Sequence, residues 1–96
     1  MLMLRLDAKN KVLYPQDDDN GIALTKVETR LLAALMRQSG RIVSTETLMR
    51  EVWQTGYLGD LGTLYAHISL LRRKIGPGKI VTYRRRGYAL LENDAQ

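Results

Sequence analysis

The chain has 96 residues, 45% apolar and 26% charged, with a net charge of +5, no cysteine and one histidine. That is one domain's length with a globular composition, which excludes disorder, a disulfide framework, a cysteine nucleophile, and any site needing thiolates or two imidazoles. No apolar run approaches the roughly 20 residues of a membrane helix, and Met1–Arg5 is too short for a signal peptide's apolar region, so a soluble, cytoplasmic protein with no membrane partner is expected.

Residues 2–6 and 11–14 alternate in polarity around Ala8-Lys9-Asn10 and predict a hairpin. Asp17-Asp18-Asp19-Asn20-Gly21 reads as a turn, its side chains bonding their own backbone and Gly21 tolerating positive φ. Its three adjacent carboxylates lack the alternating spacing and distal Glu of a calcium loop, so a solvated turn rather than a metal site is expected. Ile22-Ala23-Leu24 is a third short strand. At Thr25 the period changes: Thr25-x-x-Glu28 is a capping box, and Val27, Leu31, Leu32 and Leu35 follow at helical spacing until Ser39-Gly40.

Ile42-Val43 is a brief extended link. Ser44 caps a second helix running to about Gln54, with Leu48 and Val52 inward and Trp53 a candidate for the same face. Gln54 to Gly59 forms a loop. A third helix opens at Asp60 or Thr63, buries Leu64, Ile68, Leu71 and Ile75, and ends at Gly76-Pro77-Gly78. Lys79–Thr82 and Tyr88–Leu91 are strands joined by Tyr83-Arg84-Arg85-Arg86-Gly87. The order predicts one α+β domain over residues 1–96: a small N-terminal antiparallel sheet to about 24, a three-helix core to about 75, and a β-hairpin over about 79–91. Helices two and three look like a helix-turn-helix, with the hairpin beside helix three as a wing.

Charge gathers on the last two elements. Up to residue 60 bases and acids balance; beyond it Arg72, Arg73, Lys74, Lys79, Arg84, Arg85 and Arg86 face only Glu92 and Asp94, which accounts for the whole +5. Such a field attracts polyanions, although a solvated basic face is the plain alternative. With its apolar stripe buried, helix three turns Gly62, Tyr65, Ala66, Ser69, Arg72 and Arg73 toward solvent or a groove. A helix fits the DNA major groove, where all four base pairs can be told apart, and the small residues allow close approach. Three adjacent arginines at a hairpin tip repel one another and add nothing obvious to folding. Guanidinium in a narrow minor groove is a recurrent use of such a tip; a loop placed for solubility is the alternative.

Several stretches together carry a family likeness: Leu24-Thr25-x-x-Glu28-x-x-Leu31-Leu32-x-x-Leu35, Gly40-Arg41-x-Val43-Ser44-x-x-x-Leu48, Val52-Trp53, Thr63-Leu64-x-x-His67-Ile68-x-x-Leu71-Arg72-Arg73-Lys74-Ile75, and Ile80-x-Thr82-x-Arg84-x-x-Gly87-Tyr88. In this order and spacing, over about residues 22–90, the chain resembles the winged-helix DNA-binding effector domain of OmpR/PhoB-type bacterial response regulators. The N-terminal strands fit that family's extra leading sheet. The resemblance implies a third helix in the major groove and a wing in the minor groove. It further implies Thr63, His67 and Thr82 on phosphates, Arg72 on a base or phosphate, and Arg84 as the minor-groove arginine. For His67, a half-buried, hydrogen-bonded core histidine is the alternative.

The chain departs from the family's pattern in places. Ser69 and Leu70 stand where many members have arginines, Tyr65 where an acid is common, and Arg85 where the wing usually has glycine. The base preference therefore does not carry over, and Tyr65 and Leu70 are candidates to meet thymine methyls or another subunit. The expected DNA-binding set is Thr63, Tyr65, Ala66, His67, Ser69, Leu70, Arg72, Arg73, Thr82, Arg84, Arg85 and Arg86. In the Gln54–Gly59 loop Tyr57 and Leu58 are candidates for a contact with RNA polymerase, an ordinary connecting loop being the alternative.

A receiver domain would need roughly another domain's length and no segment here supplies it; an excised effector domain and a stand-alone regulator both stay open. The family's pairing on half-sites one helical turn apart implies a tandem dimer on DNA. A protein-interaction module is the main rival reading, an RNA binder a weaker one. An enzyme is weakest, since no nucleophile–base pair, phosphate loop or metal cluster is present in the sequence and no cofactor is implied.

Overall fold

The computed structural model describes residues 4–15, 20–53, 61–76 and 78–91. The Asp17–Asp19 turn, the loop carrying Tyr57 and Leu58, and Asp60 lie outside the described residues. The elements in chain order are β1 (Leu4–Asp7), β2 (Val12–Pro15), β3 (Ile22–Ala23), α1 (Lys26–Arg37), α2 (Thr45–Trp53), α3 (Leu61–Ile75), β4 (Ile80–Tyr83) and β5 (Gly87–Leu90). β1, β2 and β3 form one antiparallel sheet and β4 and β5 a second, with Leu6 opposite Leu13 and Thr82 opposite Tyr88. The α+β architecture expected from the sequence is present.

The β1–β2 turn is closed by Asp7, whose carboxylate accepts from the Asn10 backbone N–H at 3.1 Å and from Asn10 Nδ2 at 2.9 Å. Those two bonds, the side-chain one first, hold the Asp7 carboxyl below its usual range. Gly21 has no positive φ, contrary to the sequence expectation. It is needed for room instead: a Cβ there would meet Val12 Cγ1 at 2.3 Å.

The capping box of α1 is complete. Glu28 N–H donates to Thr25 Oγ1 at 3.1 Å and Thr25 N–H to Glu28 Oε1 at 2.9 Å, satisfying two orphan donors of the first turn. At α2, Ser44 Oγ accepts from Thr47 N–H at 3.0 Å in the same manner. The carboxyl end of α2 is held from outside, by Arg30 Nη1 donating to the Val52 carbonyl at 2.8 Å. Trp53 is only half-buried, at the edge of the core, whereas Met49, unremarked in the sequence, lies fully inside.

Leu31, Leu32 and Leu35 of α1, Leu48 and Val52 of α2, and the predicted α3 stripe of Leu64, Ile68, Leu71 and Ile75 meet in one core. Leu4 and Leu13 of the first sheet and Ile80, Tyr88 and Leu90 of the hairpin complete it. None of these helices would persist alone at such lengths, so this shared burial is what holds them. One charge sits among them. Glu28, 1% exposed, accepts a 2.7 Å bond from Lys74 Nζ, which also donates to the Ala23 carbonyl at 3.0 Å. Burial pushes the Glu28 carboxyl up, but the bonds from Lys74 and Thr25 outweigh it and hold it below its ordinary value.

The extended link at Val43 does more than connect. Val43 N–H donates to the Tyr88 carbonyl at 2.7 Å and Tyr88 N–H to the Val43 carbonyl at 3.0 Å, so the turn after α1 becomes a third edge of the hairpin. The approach is close enough to require Gly87. At φ 143° a Cβ on it would lie 2.0 Å from the Val43 carbonyl oxygen.

Candidate nucleic-acid interface

With α3 packed on the core through every third or fourth residue, its outer face is dictated. Thr63, Tyr65, Ala66, Ser69, Leu70 and Arg73 are all exposed, and His67 and Arg72 are half-buried on the two flanks. Leu61, absent from the expected set, is also exposed, at 46%, beside Tyr65 at 48% and Leu70 at 44%. An apolar residue lying off the buried stripe was the available signal for it.

The hairpin stands along the Arg72 flank. Arg72 Nε donates to the Ile80 carbonyl at 3.1 Å, Nη2 donates to Thr82 Oγ1, and the guanidinium lies 5.7 Å from the centre of the Tyr88 ring. Burial, then the neighbouring Tyr65, raises the Tyr88 hydroxyl above its ordinary value, against a smaller opposing pull from Arg72. Arg72 and Thr82, both expected on DNA, are thus brought together and engaged with each other, fastening α3 to the wing. Lys74, counted with the cationic cluster in the sequence, turns the other way to Glu28.

At the tip, Arg84, Arg85 and Arg86 are exposed. Arg86 N–H donates to the Tyr83 carbonyl at 2.9 Å, closing a turn whose third residue, Arg85, takes φ 62°. That conformation is glycine's by preference, which accounts for glycine being usual there. Among the described residues, Arg73, Arg84, Arg85 and Arg86 make no ion pair, so the tip and the outer face of α3 carry uncompensated positive charge. His67 is half-buried as one reading had it, but its Nδ1 is buried without a hydrogen-bond partner among the described residues. A surface cavity of about 330 Å³ between the first hairpin, α1 and α2 contains no residue of α3 or the wing. On its wall Arg37 is paired with Glu51 at 2.5 Å. No cluster of three metal-ligating side chains occurs among the described residues.

An exposed helix face and an arginine tip, held side by side, are complementary to a duplex: one element fits a groove and the other reaches across a phosphate ridge. Comparison with known proteins bears on this geometry. Residues 19–90 match the family described as transcriptional regulatory protein, C terminal. The sensory transduction protein RegX3 of Mycobacterium tuberculosis is 38% identical over a 92-position alignment that covers 91% of this chain and 40% of that protein. The regulatory protein VanRc of Enterococcus gallinarum is 35% identical over 74 residues, covering 77% of this chain and 30% of that one. The chain therefore spans well under half the length of these relatives. Among solved structures, the DNA-binding domain of CpxR from E. coli superposes with a TM-score of 0.78 at 29% identity, covering 96% of this chain and 97% of that one. The DNA-binding domain of Bacillus subtilis CssR does so with a TM-score of 0.78 at 27% identity, covering 93% and 100%.

Proposed function

The chain belongs to the transcriptional regulatory protein C-terminal family, and from that premise we propose that it binds double-stranded DNA sequence-specifically, within a bacterial transcription regulator of the two-component type. In this reading α3 enters the major groove and Arg84, Arg85 and Arg86 the minor groove. The observation that carries it is the set of guanidiniums, unpaired among the described residues, on two adjacent elements that Arg72 fastens together. The whole regulator would work in the cytoplasm, pair in tandem on repeated half-sites, and address RNA polymerase through Tyr57 and Leu58. No catalytic role is assigned to any residue.

Titration of a duplex at several salt concentrations tests the reading. With Arg73 and the three wing arginines as the four cations that displace counterions, log affinity falls with log salt at a slope of about −3.5. A flat response would eliminate DNA as the partner. It would favour a protein-interaction module, for which the exposed Leu61, Tyr65 and Leu70 are the supporting observation.

A further inference from the structure

A recognition helix reads bases with whatever its outer face offers, and α3 offers few side chains that pair with a base edge through two hydrogen bonds. Its sequence, Leu61 to Ile75, contains no Asn, Gln, Asp or Glu. It therefore lacks the amides that pair with adenine and the carboxylates that accept from cytosine. Of its three basic residues in the last turn, Arg72 is committed to Ile80, Thr82 and Tyr88, and Lys74 to Glu28. Arg73 alone remains on this helix for a guanine edge.

What the face does present is a stripe of methyl groups. Thr63, Ala66 and Leu70 follow at i, i+3 and i+7, so they lie one above another, and all three are exposed. Seven residues of helix rise about 10 Å, the length of about three base steps at roughly 3.4 Å each. In the major groove one base edge is apolar, the thymine C5-methyl. Resting on the proposed DNA binding, we infer that the Thr63–Ala66–Leu70 stripe is the specificity element and reads thymine methyls in a half-site rich in A·T pairs. The charge around it selects the class of occupant: Arg73 continues the stripe at i+3 from Leu70, and the three wing arginines lie on the hairpin that Arg72 fastens to α3. That field draws in a polyanion and disfavours a second copy of this chain on this face.

Deoxyuridine, which lacks only the C5-methyl, isolates this contact. A duplex selected by the protein from a random pool is resynthesised with deoxyuridine for thymidine, leaving pairing and the minor groove unaltered, and both duplexes are titrated across salt. Affinity is expected to drop about fourfold for each methyl lost from a contact. Leu70→Ala narrows the thymine–uracil difference by about that factor, and Thr63→Ser, which keeps the hydroxyl, does the same. Both variants melt with the parent, because neither side chain is in the core.

Equal affinity for the two duplexes with a steep salt dependence would leave DNA binding standing and overturn the methyl reading. Absence of salt-dependent binding to either would remove the proposed function itself. If Leu70→Ala abolishes a self-association of the parent while the thymine–uracil ratio is unchanged, Leu70 is a protein contact and the inference is overturned as well.

Discussion

Arg72→Ala separates a structural arginine from a DNA-reading one. The side chain donates to the Ile80 carbonyl and the Thr82 hydroxyl and lies over the Tyr88 ring. A charged donor on a carbonyl contributes about 1.5 kcal/mol net, a hydroxyl bond about 1, and a partly exposed cation–π contact about 0.5. Discounted for the solvent that reaches a half-buried guanidinium, their removal costs about 2 kcal/mol. For a domain of this length that corresponds to a melting shift of roughly 8–16 °C. Thermal and urea unfolding, run beside DNA titration, measure the two effects separately. Arg72→Lys keeps the charge but cannot hold two acceptors in a planar fork, so it recovers little stability. If Arg72→Ala melts within about 0.5 kcal/mol of the parent while losing about 1–3 kcal/mol of DNA affinity, the side chain serves DNA directly and the fastening is incidental.

Three further outcomes are expected. Glu28 has a folded-state carboxyl below its ordinary value of 4.5. Its stabilisation is therefore full above pH 4.5 and lost as pH falls through the lower folded value. Glu28→Gln should cost about 2 kcal/mol near neutrality and flatten the acid limb of a stability–pH curve; an unchanged acid limb would show that Glu28 does not drive it. Gly87→Ala should destabilise by at least about 3 kcal/mol, from the positive φ and the collision with the Val43 carbonyl together, and a parent-like melting temperature would mean that the Val43–Tyr88 bridge is absent in solution. Arg85→Gly should stabilise by about 1 kcal/mol by relieving the left-handed backbone while reducing the salt slope by about 1; a lower melting temperature would contradict that strain.

The parts of this fold legible in the sequence are those encoded within a turn or two of chain. Thr25 and Glu28 are three residues apart and bond each other, Ser44 and Thr47 likewise, and the stripes of α1 and α3 announce their buried faces by spacing alone. What stayed hidden depends on which distant elements pack together. Lys74 reaches Glu28 across 46 positions, so it read as one more base in a cluster. Glu28 was visible as a cap and not as the sole buried charge among the described residues. Arg72 meets Thr82 and Ile80 only because the hairpin folds back along α3, and periodicity does not say how closely two elements lie. Gly21 shows the same limit on a smaller scale: its identity matters for the neighbouring Val12 side chain, not for its own φ. The candidate site was therefore legible as a surface, while the division of its cations between holding the fold and facing outward was not.

The pair of bonds between Val43 and Tyr88 ties the tip end of β5 to the link between α1 and α2 along the edge of β5 away from β4, while Arg72 bonds β4. Gripped from both sides, the two outward-facing elements keep one separation before any ligand arrives, and little ordering entropy is left to be lost on association. Changes that weaken the grip on a duplex should then shorten residence time while leaving the rate of encounter almost untouched.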